Sequence, residues 1–139
     1  MRTAWFLIAG VVAEEACDVL VAGGSTAALA AALTAAEAAP ELQVCLTEPT
    51  DWPGGQMTSS GVSAIDYGPN NARPENQPRS FRDAARTFPQ DGGGCWVSAQ
   101  CYQPGRFADH WVAPRLARQA NLRVYLRTAV VGAVLEGGR

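Results

Sequence analysis

The sequence predicts an α/β fold that opens on a parallel βαβ unit, and three observations predict it. An uninterrupted apolar run, "DVLVA" at residues 18–22, leads into the glycine pair Gly23-Gly24. An alanine-rich stretch from Thr26 to Ala39 then runs without a helix breaker until Pro40. A second apolar run, "LQVCLTE" at residues 42–48, follows it. Short apolar runs without alternation suit strands covered on both faces, as in a parallel sheet. Strand, tight turn, helix and strand within about 30 residues make one βαβ unit.

Each element has a local reason. The helix expected over residues 26–39 is built from strong helix formers and ends where Pro40 disfavours helical geometry in its predecessor. Residues 49–105 are rich in Gly and Pro but keep Trp52, Met57, Ile65, Tyr67, Phe81, Trp96 and Tyr102 spread among the turn residues, so they read as an ordered, loop-rich insertion. Long irregular segments in a compact domain are usually functional or mobile. A short helix is expected around residues 80–87. Another begins near Gly105, with Phe107, Trp111 and Leu116 on one face, bent or divided at Pro114. "LRVYLRTAVVGAVLEGG", residues 122–138, reads as a strand followed by another, with "EGG" as a hairpin turn and residues 130–135 as a strand short of its partner.

Composition bounds the function. A chain of 139 residues with 47% hydrophobic content builds one domain with a real core, and a net charge of -2 gives no electrostatic footprint for nucleic acid. No nucleic-acid partner is expected. Every basic side chain other than His110 is Arg and Ala is abundant, a compositional bias that keeps any single Ala or Arg from carrying an argument. Residues 1–13 hold one basic residue, an apolar run from Ala4 to Val12 and a Val11-x-Ala13 pair that a signal peptidase would read. The run is too short to span a membrane, and no membrane span is expected. Residues 1–13 are taken as a signal peptide and export is preferred over a cytoplasmic location, the alternatives being an extra strand or a misplaced start. "EEA" before Cys17 argues against a lipoprotein, and no twin-Arg pair precedes it.

The cysteines at 17, 45, 95 and 101 show no CxxC spacing, and the single His110 does not complete a metal set, so no metal is expected. Cys17 and Cys45 read as buried small apolar residues, and Cys95 with Cys101 as a pair that would bond in an exported chain. His110 reads as a surface or cap residue.

The chemistry lies in the opening unit. In the dinucleotide fingerprint of Rossmann-like domains the first Gly makes the tight turn, the second admits the pyrophosphate and the third lets the helix pack on the strand. Gly23 fills the first role. Ser25 stands at the second, where its hydroxyl restricts approach and positive φ, with Gly24 beside it. Ala28 is an accepted small residue at the third. A helix starting near Ser25 aims free N–H groups at an anion. Glu48, ending the second strand, is placed to accept hydrogen bonds from a ribose, and its charge favours an unphosphorylated one. The alternative is an Ala-rich βα unit with no ligand. Gly54-Gly55 offers two unhindered backbone donors just beyond the acid, or is an ordinary turn after Pro53.

The pairing of the "GGS" turn with "EPTDWPGGQMTSSGVS", residues 48–63, resembles the bacterial FAD-dependent oxidoreductases whose flavin domain is of the glutathione-reductase type. "GGGCWVSAQCYQPG" and "LRVYLRTAVVGA" resemble that family's middle segment, so the resemblance runs from Asp18 to the end. In that family the second fingerprint glycine is often Ser or Thr. The resemblance implies FAD as cofactor, with Gly23, Gly24, Ser25 and Thr26 at the pyrophosphate and Glu48 at the adenosine ribose. Gly54, Gly55 and Gln56 would lie along the phosphate and ribitol, and Met57 and Thr58 nearer the flavin ring. Trp52 and Trp96 line a flavin or substrate pocket on this reading, or are packing residues. The resemblance also implies further sheet segments, a substrate domain and a C-terminal return that are not in this sequence. Residues 14–139 are therefore read as a partial, N-terminal FAD-binding domain, with the C-terminal portion of its own domain as a missing partner. No residue presents itself as acid, base or nucleophile, and the small-molecule substrate is unassigned. A non-catalytic adenine-dinucleotide-binding module, or an inactive fragment, stands as the alternative.

Overall fold

The computed structural model describes residues 16–66, 68–86, 95–98 and 100–135. The expected signal peptide at 1–13, Tyr67 and the "EGG" turn lie outside the described residues. Strand β1 (Val19–Val21), helix α1 (Thr26–Ala38) and strand β2 (Val44–Glu48) form the expected βαβ unit. After the long insertion, helix α2 (Arg79–Ala85), a second helical stretch and strand β3 (Leu122–Leu126) follow.

The sheet is parallel, in the order β1-β2-β3, with Leu20 beside Cys45 and Cys45 beside Arg123. This is one half of the doubly wound order, in which each successive strand is added outward from the first. The central strand β2 is buried along its whole length, whereas β1 is half-buried and β3 is partly exposed. That gradient matches the sequences of β2 and β3: "VCLTE" is apolar up to Thr47, whereas the partly exposed "LRVYL" carries Arg123 among its apolar residues.

Helix α1 covers one face of the sheet. Leu29, Ala32, Leu33 and Ala36 recur at helical spacing, are all buried, and pack with Val44 and Leu46 of β2. The alanines on this stripe keep the helix close to the sheet. Ser25 caps its start and Ala39 closes its end before Pro40. The side-chain nitrogen of Asn121 reaches the carbonyls of Ala36, Ala39 and Leu42 at 3.0–3.2 Å, satisfying acceptors that the helix end leaves open.

The insertion folds back onto this core. Helix α3 (Pro104–Phe107), a π turn (Ala108–Val112) and helix α4 (Ala113–Ala117) run on continuously. The chain is therefore not divided at Pro114. Proline lacks an N–H, and a widened turn just before it accommodates the missing donor. Phe107 stacks on Trp111 at 5.2 Å, Tyr102 meets Phe107 edge-on at 5.7 Å, and the Arg115 guanidinium lies 4.8 Å over Trp111. Arg115 also pairs with Asp83 of α2 and, at 3.5 Å, with Glu37 of α1, so one cation joins three helices.

Three expectations need correction. Residues 128–135 form no strand: Arg127 takes a left-handed conformation (φ 53) that turns the chain at the end of β3, and Val131, Val134 and Leu135 are exposed. Cys17 and Cys45 are buried as expected, yet they are bonded to each other because adjacent strands bring them together. Trp96 is not a packing residue: it is 99% exposed, at the tip of the tight turn between Cys95 and Ser98. The Cys95–Cys101 pair is bonded.

Candidate functional site

The first turn is shaped by two glycines for different reasons. Gly23 has φ 98, a conformation L side chains rarely adopt, although a Cβ there would meet nothing within 4 Å. Gly24 is needed for space: a Cβ would run into the Glu48 side chain, with Glu48 Cβ and Cδ both at 2.9 Å. Ser25 has φ -58, open to any residue, so the second fingerprint position requires no glycine here. Its hydroxyl accepts the Ala28 N–H at 3.2 Å as the helix N-cap. Among the described residues the N–H groups of Thr26 and Ala27 have no protein acceptor, and they point out from the positive end of α1. Ala28 is half-buried against the core.

The second turn is laid directly on the first. The Gly54 N–H donates to the Gly24 carbonyl at 2.7 Å, and the Thr26 hydroxyl donates to the Gly54 carbonyl at 2.6 Å. A Cβ at Gly55 would lie 2.9 Å from Ser25 Cα and 3.1 Å from the Thr26 nitrogen. Gly54 and Gly55 take φ 122 and 56, so the pair is selected both by backbone angle and by the close approach of two main chains. Gln56 is exposed on the rim of the 3-10 turn Gly55–Met57. Met57 and Thr58 are buried beneath it; Met57 joins the core, and the Thr58 hydroxyl donates to the Pro53 carbonyl at 3.0 Å.

Glu48 sits where the two turns meet. It ends β2, is only 3% exposed, and accepts the Thr50 N–H at 2.7 Å through Oε1, while Oε2 lies against Gly24. The structure thus gathers Gly23, Gly24, Ser25, Thr26, Glu48, Gly54 and Gly55 into one patch at the carboxyl ends of β1 and β2, the edge at which open α/β sheets bind ligands. Its rim carries an ion pair between Asp51 and Arg127, with Nη2 to Oδ2 at 3.2 Å. Hydrogen bonding from Arg127 holds the Asp51 carboxyl below its ordinary value, and the same contact raises the guanidinium.

Behind the second turn, residues 62–65 are braced by Ser98, Gln100 and Tyr102. Tyr102 N–H donates to the Ser63 carbonyl at 3.0 Å and Ile65 N–H to the Gln100 carbonyl at 3.1 Å. The Tyr102 phenol donates to the Val62 carbonyl at 2.7 Å, and burial pushes its pKa up to about 12. Trp52 is 43% exposed, and His110 is exposed on the π turn. Among the described residues no cluster of metal-ligating side chains occurs and no helix is long and apolar enough to cross a membrane.

Two contributors escaped the sequence reading. Thr47 is fully buried and its hydroxyl accepts the Gly23 N–H at 2.9 Å; a lone hydroxyl inside an apolar strand was the available signal, since such a group needs a partner. Thr50, whose N–H engages Glu48, carries no signal in its identity because the contact is made by backbone. A family model described as FAD dependent oxidoreductase matches residues 18–139. No curated protein matches the chain.

Proposed function

This chain belongs to the FAD-dependent oxidoreductase family, whose cofactor is FAD, and from that premise we propose that the patch at the ends of β1 and β2 holds the adenosine and pyrophosphate part of FAD. The residues present fit that group. The open N–H groups of Thr26 and Ala27, at the positive end of α1, suit a pyrophosphate, and the Glu48 carboxylate suits the two hydroxyls of a ribose. On this reading Gly54, Gly55 and Gln56 lie along the phosphate and ribitol, with Met57 and Thr58, both buried, nearer the flavin ring. The bound flavin supplies the hydride or electron transfer. The chain's own part is to bind and orient it: to neutralise the pyrophosphate with backbone donors, to fix the ribose and to keep the two turns in register.

The observation that carries this reading is the joining of the two turns, Gly54 N–H to the Gly24 carbonyl, beside a carboxylate packed on Gly24. An ordinary turn after Pro53 has no reason to lie backbone to backbone on the turn after β1. The test is to mix the purified chain with FAD, remove free flavin, denature, and identify what is released. Retained yellow colour with FAD released supports the reading. A colourless chain that takes up NAD instead refutes it in favour of a non-catalytic dinucleotide module.

A further inference from the structure

We propose that Thr47 is a positioning residue for the cofactor turn, acting through its hydroxyl on the Gly23 peptide; this rests on the FAD-binding reading above. Thr47 is completely buried on β2, next to Glu48, in a strand otherwise apolar up to that acid. Strand β2 already spends its own backbone groups on β1 and β3. The Thr47 hydroxyl reaches across to the chain just beyond the end of β1, where it accepts the Gly23 N–H at 2.9 Å, while the neighbouring Glu48 side chain packs on Gly24. Val21 is the last residue of β1, paired with Leu46, so beyond it the strand ladder no longer holds the turn. The Thr47 hydroxyl continues the pairing by one side-chain bond and holds Gly23 at φ 98, a conformation nothing in the surrounding packing enforces, since a Cβ there would touch nothing within 4 Å.

The consequence is a division of labour among the turn's donors. Thr47 withdraws the Gly23 N–H from the ligand and fixes the plane of that peptide. The direction of the following peptides, and so of the Thr26 and Ala27 N–H groups, depends on it. With valine at 47 the methyl packing stays and the acceptor is lost, leaving Gly23 with an unsatisfied N–H in a half-buried turn. With serine the acceptor stays and only a methyl is lost.

The experiment compares wild type, Thr47→Val and Thr47→Ser in the full chain with its disulfides formed. It reads amide hydrogen exchange at Gly23 without ligand, FAD dissociation constants by flavin fluorescence, and circular dichroism to check the fold. In Thr47→Val, Gly23 exchange is expected to accelerate by about tenfold and FAD affinity to fall about tenfold, consistent with one hydrogen bond. Thr47→Ser keeps both near wild type. Unchanged Gly23 exchange in Thr47→Val overturns the proposal, as does a serine variant that behaves like valine, which would assign the effect to packing. Accelerated exchange with unchanged FAD affinity overturns the positioning role while leaving the FAD site standing. Wild-type chain that protects Gly23 yet binds no FAD overturns the function proposed above, and the positioning role with it. A Thr47→Val chain that loses its circular dichroism signal, with a normal serine variant, overturns the role as well, by making the hydroxyl a requirement of the whole fold.

Discussion

Substituting Gly24 by alanine tests the geometry of the site at its tightest point. The added methyl meets the Glu48 carboxylate and also Glu48 Cβ at 2.9 Å, an atom fixed to the central strand that cannot swing aside. Overpacking of this kind costs about 1–3 kcal/mol, from which about 0.4–1 kcal/mol is recovered through the stiffer unfolded chain, since Gly24 does not need a left-handed angle. The expected net loss is about 1–2 kcal/mol. With a urea dependence of about 2 kcal/mol per molar, the unfolding midpoint falls by roughly 0.5–1 M. FAD affinity falls as well, because the carboxylate is displaced. Gly105→Ala is the control: it lies in α3 with open space around it and gains helix propensity, so it leaves the midpoint unchanged or raised. Combining Gly24→Ala with Glu48→Ala removes two of the three contacts, and the pair is expected to be less destabilising than the sum by about 0.5 kcal/mol or more. A Gly24→Ala chain as stable as wild type, or a strictly additive pair, refutes the claim that Glu48 is packed on the turn.

Other consequences are read more simply. Glu48→Gln keeps the shape and loses the charge-assisted part of its hydrogen bonds, so FAD binding weakens by about 1–3 kcal/mol with the fold intact; unchanged affinity means that the acid does not face the ribose. The Asp51 carboxyl titrates below its ordinary value of 3.8 because of Arg127, so its contribution to stability is complete above 3.8 and is lost as pH falls through the lowered value. Arg127→Ala returns the Asp51 carbon resonance to an ordinary titration midpoint, and no change on substitution refutes the pair. Tyr102 stays protonated up to about 12 in the folded chain against 10.0 unfolded, so stability declines as pH rises through that window; the decline shrinks in Tyr102→Phe if the assignment is right, and persists if it is wrong.

The sequence made the main-chain frame legible and left its fastenings hidden. Apolar continuity marked β1 and β2, and the alanine stripe with Pro40 marked α1 to within a residue, because these features follow from local periodicity and backbone chemistry. The fingerprint turn was legible too, although the weight fell on Ser25 when the crowded position is Gly24. Crowding at Gly24 depends on where Glu48 folds back, a contact across 24 residues of chain. Thr47, Asn121 and the Cys17–Cys45 bond are of the same kind, each linking residues brought together only by strand and helix packing. The second terminal strand was expected from the apolar character of residues 130–135; composition does not reveal that Arg127 turns the chain away first.

A backbone-amide spectrum of the chain titrated with FAD locates the pyrophosphate directly. The largest shifts are expected on Thr26 and Ala27, with Gly24, Gly55 and Gln56 following, because the pyrophosphate seats on the open end of α1 between the two turns. Saturable binding that leaves Thr26 and Ala27 unmoved, or no binding at all, contradicts this placement.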